Sequence, residues 1–215
     1  MIRVAVADDH TIVREGLRHL LESAGDIVVA TEAVNGHEVV ERVRDTEFDI
    51  LLLDLSMPGK SGMELIRQVK GEKPKLKILV LSMHEENQYA VRAIKAGASG
   101  YLTKDSASAQ LVLAIRKLAA GGAFISAEVA EQLARDAQGA TDALPHTTLS
   151  DREYQVFRML VAGDSLTEIA DRLNLSIKTI STHKARLMQK MNVGNQAELI
   201  RYAITHKLTD DSGTD

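Results

Sequence analysis

Two hydrophobic rhythms divide this chain. From residue 2 to about 120, short apolar runs at 2–7, 27–33, 50–54, 78–82 and 100–103 alternate with amphipathic stretches at 11–24, 37–46, 61–70, 87–96 and 106–120. The short runs are mostly apolar on both faces, the pattern of parallel strands covered by helices on either side. In the first amphipathic stretch Ile12, Leu17, Leu20 and Leu21 form an apolar stripe. Five strand-then-helix alternations predict a doubly wound five-stranded parallel sheet, with ligands expected beyond the C-terminal strand ends.

After Ala120 the rhythm breaks at Gly121-Gly122. Residues 127–135 allow one short helix, and 138–148 have the small, polar composition of a linker. From Leu149 no strand pattern appears, and helices are expected at about 151–162, 166–173, 177–191 and 196–206. The predicted organisation is an α/β domain over 1–120, a linker with a short helix over 121–148, an all-α four-helix domain over 149–208 and an acidic tail over 209–215.

Composition narrows the chemistry. With no Cys, the chain has no disulfide framework, thiolate metal site or cysteine nucleophile. With no Trp, three Phe and four Tyr, the cores must be aliphatic, and little aromatic surface remains for stacking on single-stranded nucleic acid. The longest charge-free stretches, 106–115 and 118–127, are ten residues each, half of what a membrane-spanning helix needs. No membrane segment is expected, and a cytoplasmic location is the default.

Acids gather at the predicted strand ends. Strand one ends at Asp8-Asp9 and strand three at Asp54, so a sheet that sets these strands side by side brings three carboxylates into one crevice. Two unit charges at 4 Å repel by about 4 kcal/mol at an effective dielectric near 20, so the cluster requires a counter-charge. An all-oxygen set suits a hard cation such as Mg²⁺. Strand four ends in Ser82 and strand five leads to Lys104, which adds a hydroxyl and an ammonium able to receive phosphoryl oxygens. Together these make a site for covalent phosphorylation of Asp54.

Asp8-Asp9, Asp54-Leu55-Ser56-Met57-Pro58, Ser82 and Gly100-Tyr101-Leu102-Thr103-Lys104 resemble the receiver domain of two-component response regulators over about 2–120. The resemblance implies that Asp54 accepts the phosphoryl group. It makes Asp8, Asp9, Asp54 and the Ser56 carbonyl the metal ligands, and Lys104 the phosphoryl-binding cation. Ser82 and Tyr101 would form a switch pair, the ring following the hydroxyl inward. A hydrolase of the haloacid dehalogenase type would also use an aspartyl nucleophile, but it needs an acid two residues on, where this chain has Ser56, and no cap domain is visible. A constitutive DNA-binding protein with a vestigial acidic domain would show gaps among Asp8, Asp9, Asp54, Ser82 and Lys104, and there are none. The chain is read as a regulator rather than an enzyme.

The last third differs in charge. Residues 1–148 carry a net −4, 149–208 a net +3 and the tail −3. Ser150 with Glu153 is a capping box, Gly163 a helix stop, and a short helix, a turn at Asn174-Leu175-Ser176 and a longer helix from Ile177 make a helix-turn-helix. On the long helix Ile180, Leu187, Met188 and Met191 mark the inward stripe. Lys178, Ser181, Thr182, Ala185 and Gln189 lie opposite, flanked by Lys184, Arg186 and Lys190. Small polar side chains suit base edges, and the flanking cations suit phosphates.

Leu149-Ser150-Asp151-Arg152-Glu153, Glu168-Ile169-Ala170, Lys178-Thr179-Ile180-Ser181-Thr182-His183 and Lys190-Met191-Asn192-Val193 resemble the LuxR-type helix-turn-helix; Leu166 departs from it, standing where that family usually carries Asn. A receiver followed by this module is the NarL/FixJ class. That resemblance implies a transcription regulator acting on double-stranded promoter DNA, phosphorylated by a sensor histidine kinase and dimerising on phosphorylation, with the helix at 196–206 pairing subunits. It places the DNA contacts on Lys178, Thr179, Ser181, Thr182, Lys184, Ala185, Arg186 and Lys190.

Overall fold

The computed structural model describes residues 1–57, 62–82, 87–137, 144–206 and 208–209, with the side chains of 87, 88, 105, 107–109, 136 and 151 excepted. Pro58, Ser61, residues 138–143 of the expected linker and 210–215 of the acidic tail lie outside the described residues. Among the described residues no helix is long and apolar enough to cross a membrane. The chain forms two compact units, Met1–Gln138 and Gly139–Asp215.

In the first unit, strands β1 (Ile2–Ala7), β2 (Ile27–Ala33), β3 (Ile50–Asp54), β4 (Lys77–Ser82) and β5 (Gly100–Thr103) form a parallel sheet of order β2-β1-β3-β4-β5. Helices α1 (Thr11–Glu22), α2 (Gly36–Asp45), α3 (Gly62–Glu72), α4 (Asn87–Ala96) and α5 (Lys104–Ala119) alternate with the strands. All five residues of β3 are buried, as a central strand covered on both faces requires. Burying a leucine such as Leu52 contributes about 1.5–3 kcal/mol.

Two details differ from the sequence pattern. Ile12 is 85% exposed, while Leu17 and Leu21 are buried and Val13 packs against the core. Five residues separate Ile12 from Leu17, and at 3.6 residues per turn that carries Ile12 well round the helix, whereas Val13 is one turn away. The fifth helix begins at Lys104 rather than Ser106, because the Thr103 side chain caps it by accepting from Ser106 N–H.

The segment expected as a linker is partly built onto the first unit. β5 is an edge strand whose outer backbone groups need partners. Phe124 supplies them: its N–H donates to Ser99 O at 3.1 Å and its carbonyl accepts from Tyr101 N–H at 2.9 Å. Helix α6 (Ala127–Ala137) follows, with Val129 buried, so this unit runs past residue 120. Gly100 is the hinge of this fit, since an added Cβ would stand 2.9 Å from both Phe124 O and Leu79 Cδ1. We expect Gly100→Ala to destabilise the first unit by about 1–3 kcal/mol as overpacking does, read as a lowered urea midpoint.

In the second unit a 3-10 turn (Pro145–Thr148) precedes α7 (Asp151–Val161), α8 (Leu166–Leu173), α9 (Ile177–Met191) and α10 (Gln196–Thr205). Capping residues set every helix start. Ser150 with Glu153 and Ser165 with Glu168 are reciprocal capping boxes, and Ser176 and Asn195 cap α9 and α10. Leu166, the departure from the family pattern, is followed by no loss of capping because Ser165 does that work. Asn174 and Asn192, both at φ +52°, end α8 and α9 in the left-handed region that Asn tolerates. Phe157, Ile169, Ile180, Leu187 and Leu199 are fully buried in the core.

Candidate functional site

The parallel register brings the strand ends to one edge. β1 and β3 are hydrogen-bonded neighbours, so Asp8, just beyond β1, and Asp54, the last residue of β3, stand side by side. Both side chains are 1% exposed, and Asp9 is 31% exposed. The ammonium of Lys104, at the first position of α5, reaches back to Asp8 Oδ2 at 2.7 Å and Asp54 Oδ2 at 2.9 Å. Burial works against its charge, but hydrogen bonds to both carboxylates outweigh it and hold the amine above the usual lysine range. Ser56 N–H donates to Asp54 Oδ1 at 3.0 Å, which orients the carboxylate.

Ser82 is fully buried at the end of β4, and the Tyr101 ring is 9% exposed with its hydroxyl hydrogen-bonded to the Ser82 side chain. Burial pushes the phenol up to about 12, the Ser82 bond acting the other way. Tyr101, Ser106, Phe124 and Val129 line a cavity of about 260 Å³, which joins the Tyr101 ring to the segment leading into α6.

His10 was not singled out by the sequence pattern, although its place directly after Asp8-Asp9 was the available signal. Its Nδ1 lies 2.9 Å from Asp9 Oδ1 and 3.2 Å from Asp8 Oδ1, and its N–H donates to Asp8 Oδ1 at 2.8 Å. Arg14 pins the same loop by donating to the Asp8 carbonyl at 2.8 Å and to Glu32 at 3.1 Å.

In the second unit α9 divides as its spacing predicts. Ile180, Leu187 and Met191 are buried, and Met188 is half-buried. Lys178, Ser181, Thr182, Ala185, Arg186 and Gln189 are exposed, while Thr179 is half-buried, its hydroxyl 2.8 Å from Ser176 Oγ in the cap. The Thr182 hydroxyl donates to Lys178 O at 2.9 Å. Two of the expected cations have hydrogen-bond partners within this unit. Lys184 donates to Gln196 Oε1 at 3.2 Å, and Lys190 is held by Glu153 Oε2 at 2.7 Å and Thr148 O at 3.4 Å. Burial opposes the Glu153 charge, but the Lys190 bond and the Ser150 cap together bring its carboxyl below the usual range.

An acid pair held by a lysine at the C-terminal edge of a five-stranded parallel sheet, followed by a capped helix-turn-helix, defines a receiver-and-effector class of protein. Residues 4–116 match the response regulator receiver domain, and residues 147–203 match the bacterial regulatory proteins of the luxR family. The chain belongs to the two-component response regulators of the NarL/FixJ class. It is 37% identical over 209 residues to the response regulator UvrY of Escherichia coli K12, covering 97% of this chain and 96% of that protein. Against the response regulator GacA of Pseudomonas viridiflava, identity is 36% over 213 residues, covering 99% and 100%. Among solved structures it resembles RcsB from Salmonella enterica serovar Typhimurium bound to promoter P1flhDC in the presence of the phosphomimetic BeF3⁻. There the TM-score is 0.65 at 30% identity, covering 95% of this chain and 98% of that one.

Proposed function

We propose that Asp54 is the phosphoacceptor of a cytoplasmic regulator that binds promoter DNA as a dimer once phosphorylated. The observation that carries this reading is the buried pairing of Asp8 and Asp54 with Lys104 at the sheet edge. Three carboxylates against one ammonium leave two negative charges uncompensated, a donor set that fits a divalent cation. Asp8, Asp9, Asp54 and the Ser56 carbonyl are the residues to hold Mg²⁺. When bound, the ion neutralises charge on the incoming phosphoryl oxygens.

The remaining steps belong to this chain. An Asp54 carboxylate oxygen attacks phosphorus of a phosphohistidine on the sensor kinase; the new O–P bond forms as the P–N bond breaks, and the leaving imidazole takes a proton. Lys104 releases one of its two carboxylate partners to pair with a phosphoryl oxygen. The Ser82 hydroxyl turns to the same group, and Tyr101, losing its partner, repacks against the cavity shared with Phe124 and Val129. This ties the site to α6, the route out of the first unit.

Treating the purified chain with acetyl phosphate and Mg²⁺ should give an alkali-labile, hydroxylamine-labile label, a faster-sedimenting species and tighter binding to DNA. Phosphorylated and untreated protein that sediment alike and bind equally overturn the gating.

For DNA, RcsB bound to promoter is the relative's precedent, and the exposed face of α9 is this chain's counterpart. Lys178 and Arg186 are the phosphate-binding cations; Ser181, Thr182 and Ala185 face the base edges, with Thr179 and Lys184 beside them. We expect Thr182→Ala to cost about 1–3 kcal/mol on the preferred site and little on random duplex. Lys178→Ala should weaken binding to every sequence and lower the salt slope by about one. Lys190→Ala, by contrast, should lower stability through Glu153 and leave the slope nearly unchanged, a contrast read by binding isotherms at several salt concentrations.

A further inference from the structure

We propose that His10 is a conditional nitrogen ligand, through which the acidic site takes borderline divalent ions such as Zn²⁺ or Co²⁺ more tightly than Mg²⁺. The inference rests on the reading of Asp8, Asp9 and Asp54 as a metal site and adds to it the class of ion that competes there.

One ligand atom each from Asp8, Asp9, His10 and Asp54 lies within 4.8 Å of all the others. Four ligands around one tetrahedral ion at about 2.1 Å stand about 3.4 Å apart, so the widest pair of the set closes on a single ion by approaching about 1.4 Å, within reach of small side-chain rotations. His10 Nδ1 and Asp9 Oδ1 stand 2.9 Å apart, so the ring nitrogen lies at ligand distance from the cluster, and in the tautomer that leaves Nδ1 without hydrogen its lone pair can go to a metal ion. The contact is anchored by the backbone, because His10 N–H bonds to Asp8 Oδ1 at 2.8 Å and fixes the residue against the cluster.

The imidazole sits at the rim. His10 is 64% exposed while Asp8 is 1% exposed, so the ring can swing onto an ion without repacking the core. Its chemistry then discriminates. Mg²⁺ prefers oxygen ligands and retains water, so it gains little from an imidazole, whereas Zn²⁺ and Co²⁺ gain a strong bond from it. One site thus has two modes: carboxylates and water for Mg²⁺, carboxylates and His10 for a borderline ion. Such an ion fills the position that phosphorylation uses and displaces Mg²⁺ from it.

The test uses the full chain and binding rather than phosphorylation. Mg²⁺, Zn²⁺ and Co²⁺ are titrated separately by calorimetry into the unaltered chain, His10→Ala and Asp9→Asn, and Co²⁺-loaded samples are read by paramagnetic proton NMR. We expect His10→Ala to weaken Zn²⁺ and Co²⁺ at least tenfold and Mg²⁺ less than twofold. A far-shifted imidazole ring signal should be present in the unaltered chain and absent from His10→Ala. Zn²⁺ and Co²⁺ binding that needs Asp9 but ignores His10, or a shifted ring signal that survives His10→Ala, overturns this inference alone. Mg²⁺ binding unaffected by Asp9→Asn overturns the underlying site reading instead.

Discussion

Asp54→Asn is expected to abolish phosphoryl transfer, with labelling from acetyl phosphate falling by more than a hundredfold while the fold persists. The amide retains an oxygen to accept from Ser56 N–H, as the Asp54 carboxylate does at 3.0 Å, so the loop after β3 keeps its geometry. It lacks the anionic oxygen that attacks phosphorus. It also removes one of two buried charges that repel across the Lys104 bridge, so the variant should unfold at the same or a higher temperature than the parent. The two readouts together distinguish chemistry from collapse. An alkali-stable label at Ser56 or elsewhere in the unaltered chain would move the phosphoacceptor away from Asp54.

Lys104→Met should be the most destabilising single change at the site. It removes the cation shared by two carboxylates that are each 1% exposed, and stripping one partner from a buried charge pair costs about 3–5 kcal/mol. The pH dependence follows from the direction of the lysine shift. A group whose pKa is raised on folding contributes its full stability below its unfolded value, near 10.4 for lysine, and loses it as the pH climbs past the folded value. The parent should therefore hold this contribution across the whole neutral range and lose it only in strong alkali, and the deficit of the variant should be full at pH 7. In the variant a divalent cation is the remaining counter-charge, so Mg²⁺ should raise its melting temperature by more than it raises the parent's. Equal melting temperatures for variant and parent in a chelator would show that Lys104 does not support the pair.

Where the chemistry depends on residue type at the end of a regular element, the linear pattern was sufficient. Runs of aliphatic residues such as Ile50-Leu51-Leu52-Leu53 have no polar face and belong only in a central, doubly covered strand. Asp54, Ser82 and Lys104 each follow such a run or the next, so a parallel sheet has no alternative to placing them at one edge. Likewise Ser150 with Glu153 and Ser176 at the end of the turn start their helices through hydrogen bonds spanning three residues, which lie within a local stretch of sequence.

What only the tertiary structure decided depends on partners distant in the chain. Phe124 closes the edge of β5 by bonding to the Ser99 carbonyl and the Tyr101 N–H, and nothing in the Gly-rich approach to residue 124 records that pairing. Lys190 and Lys184 are spaced on α9 like phosphate-binding cations, yet Glu153 and Gln196, brought in by α7 and α10, hold them. His10 looks like a loop residue until the register of β1 against β3 gathers Asp8, Asp9 and Asp54 around one point. Helical and strand periodicity act over a few residues and are written in order along the chain. The charge that a lysine or histidine meets is set by folding, which chooses its neighbours from elements tens of residues away.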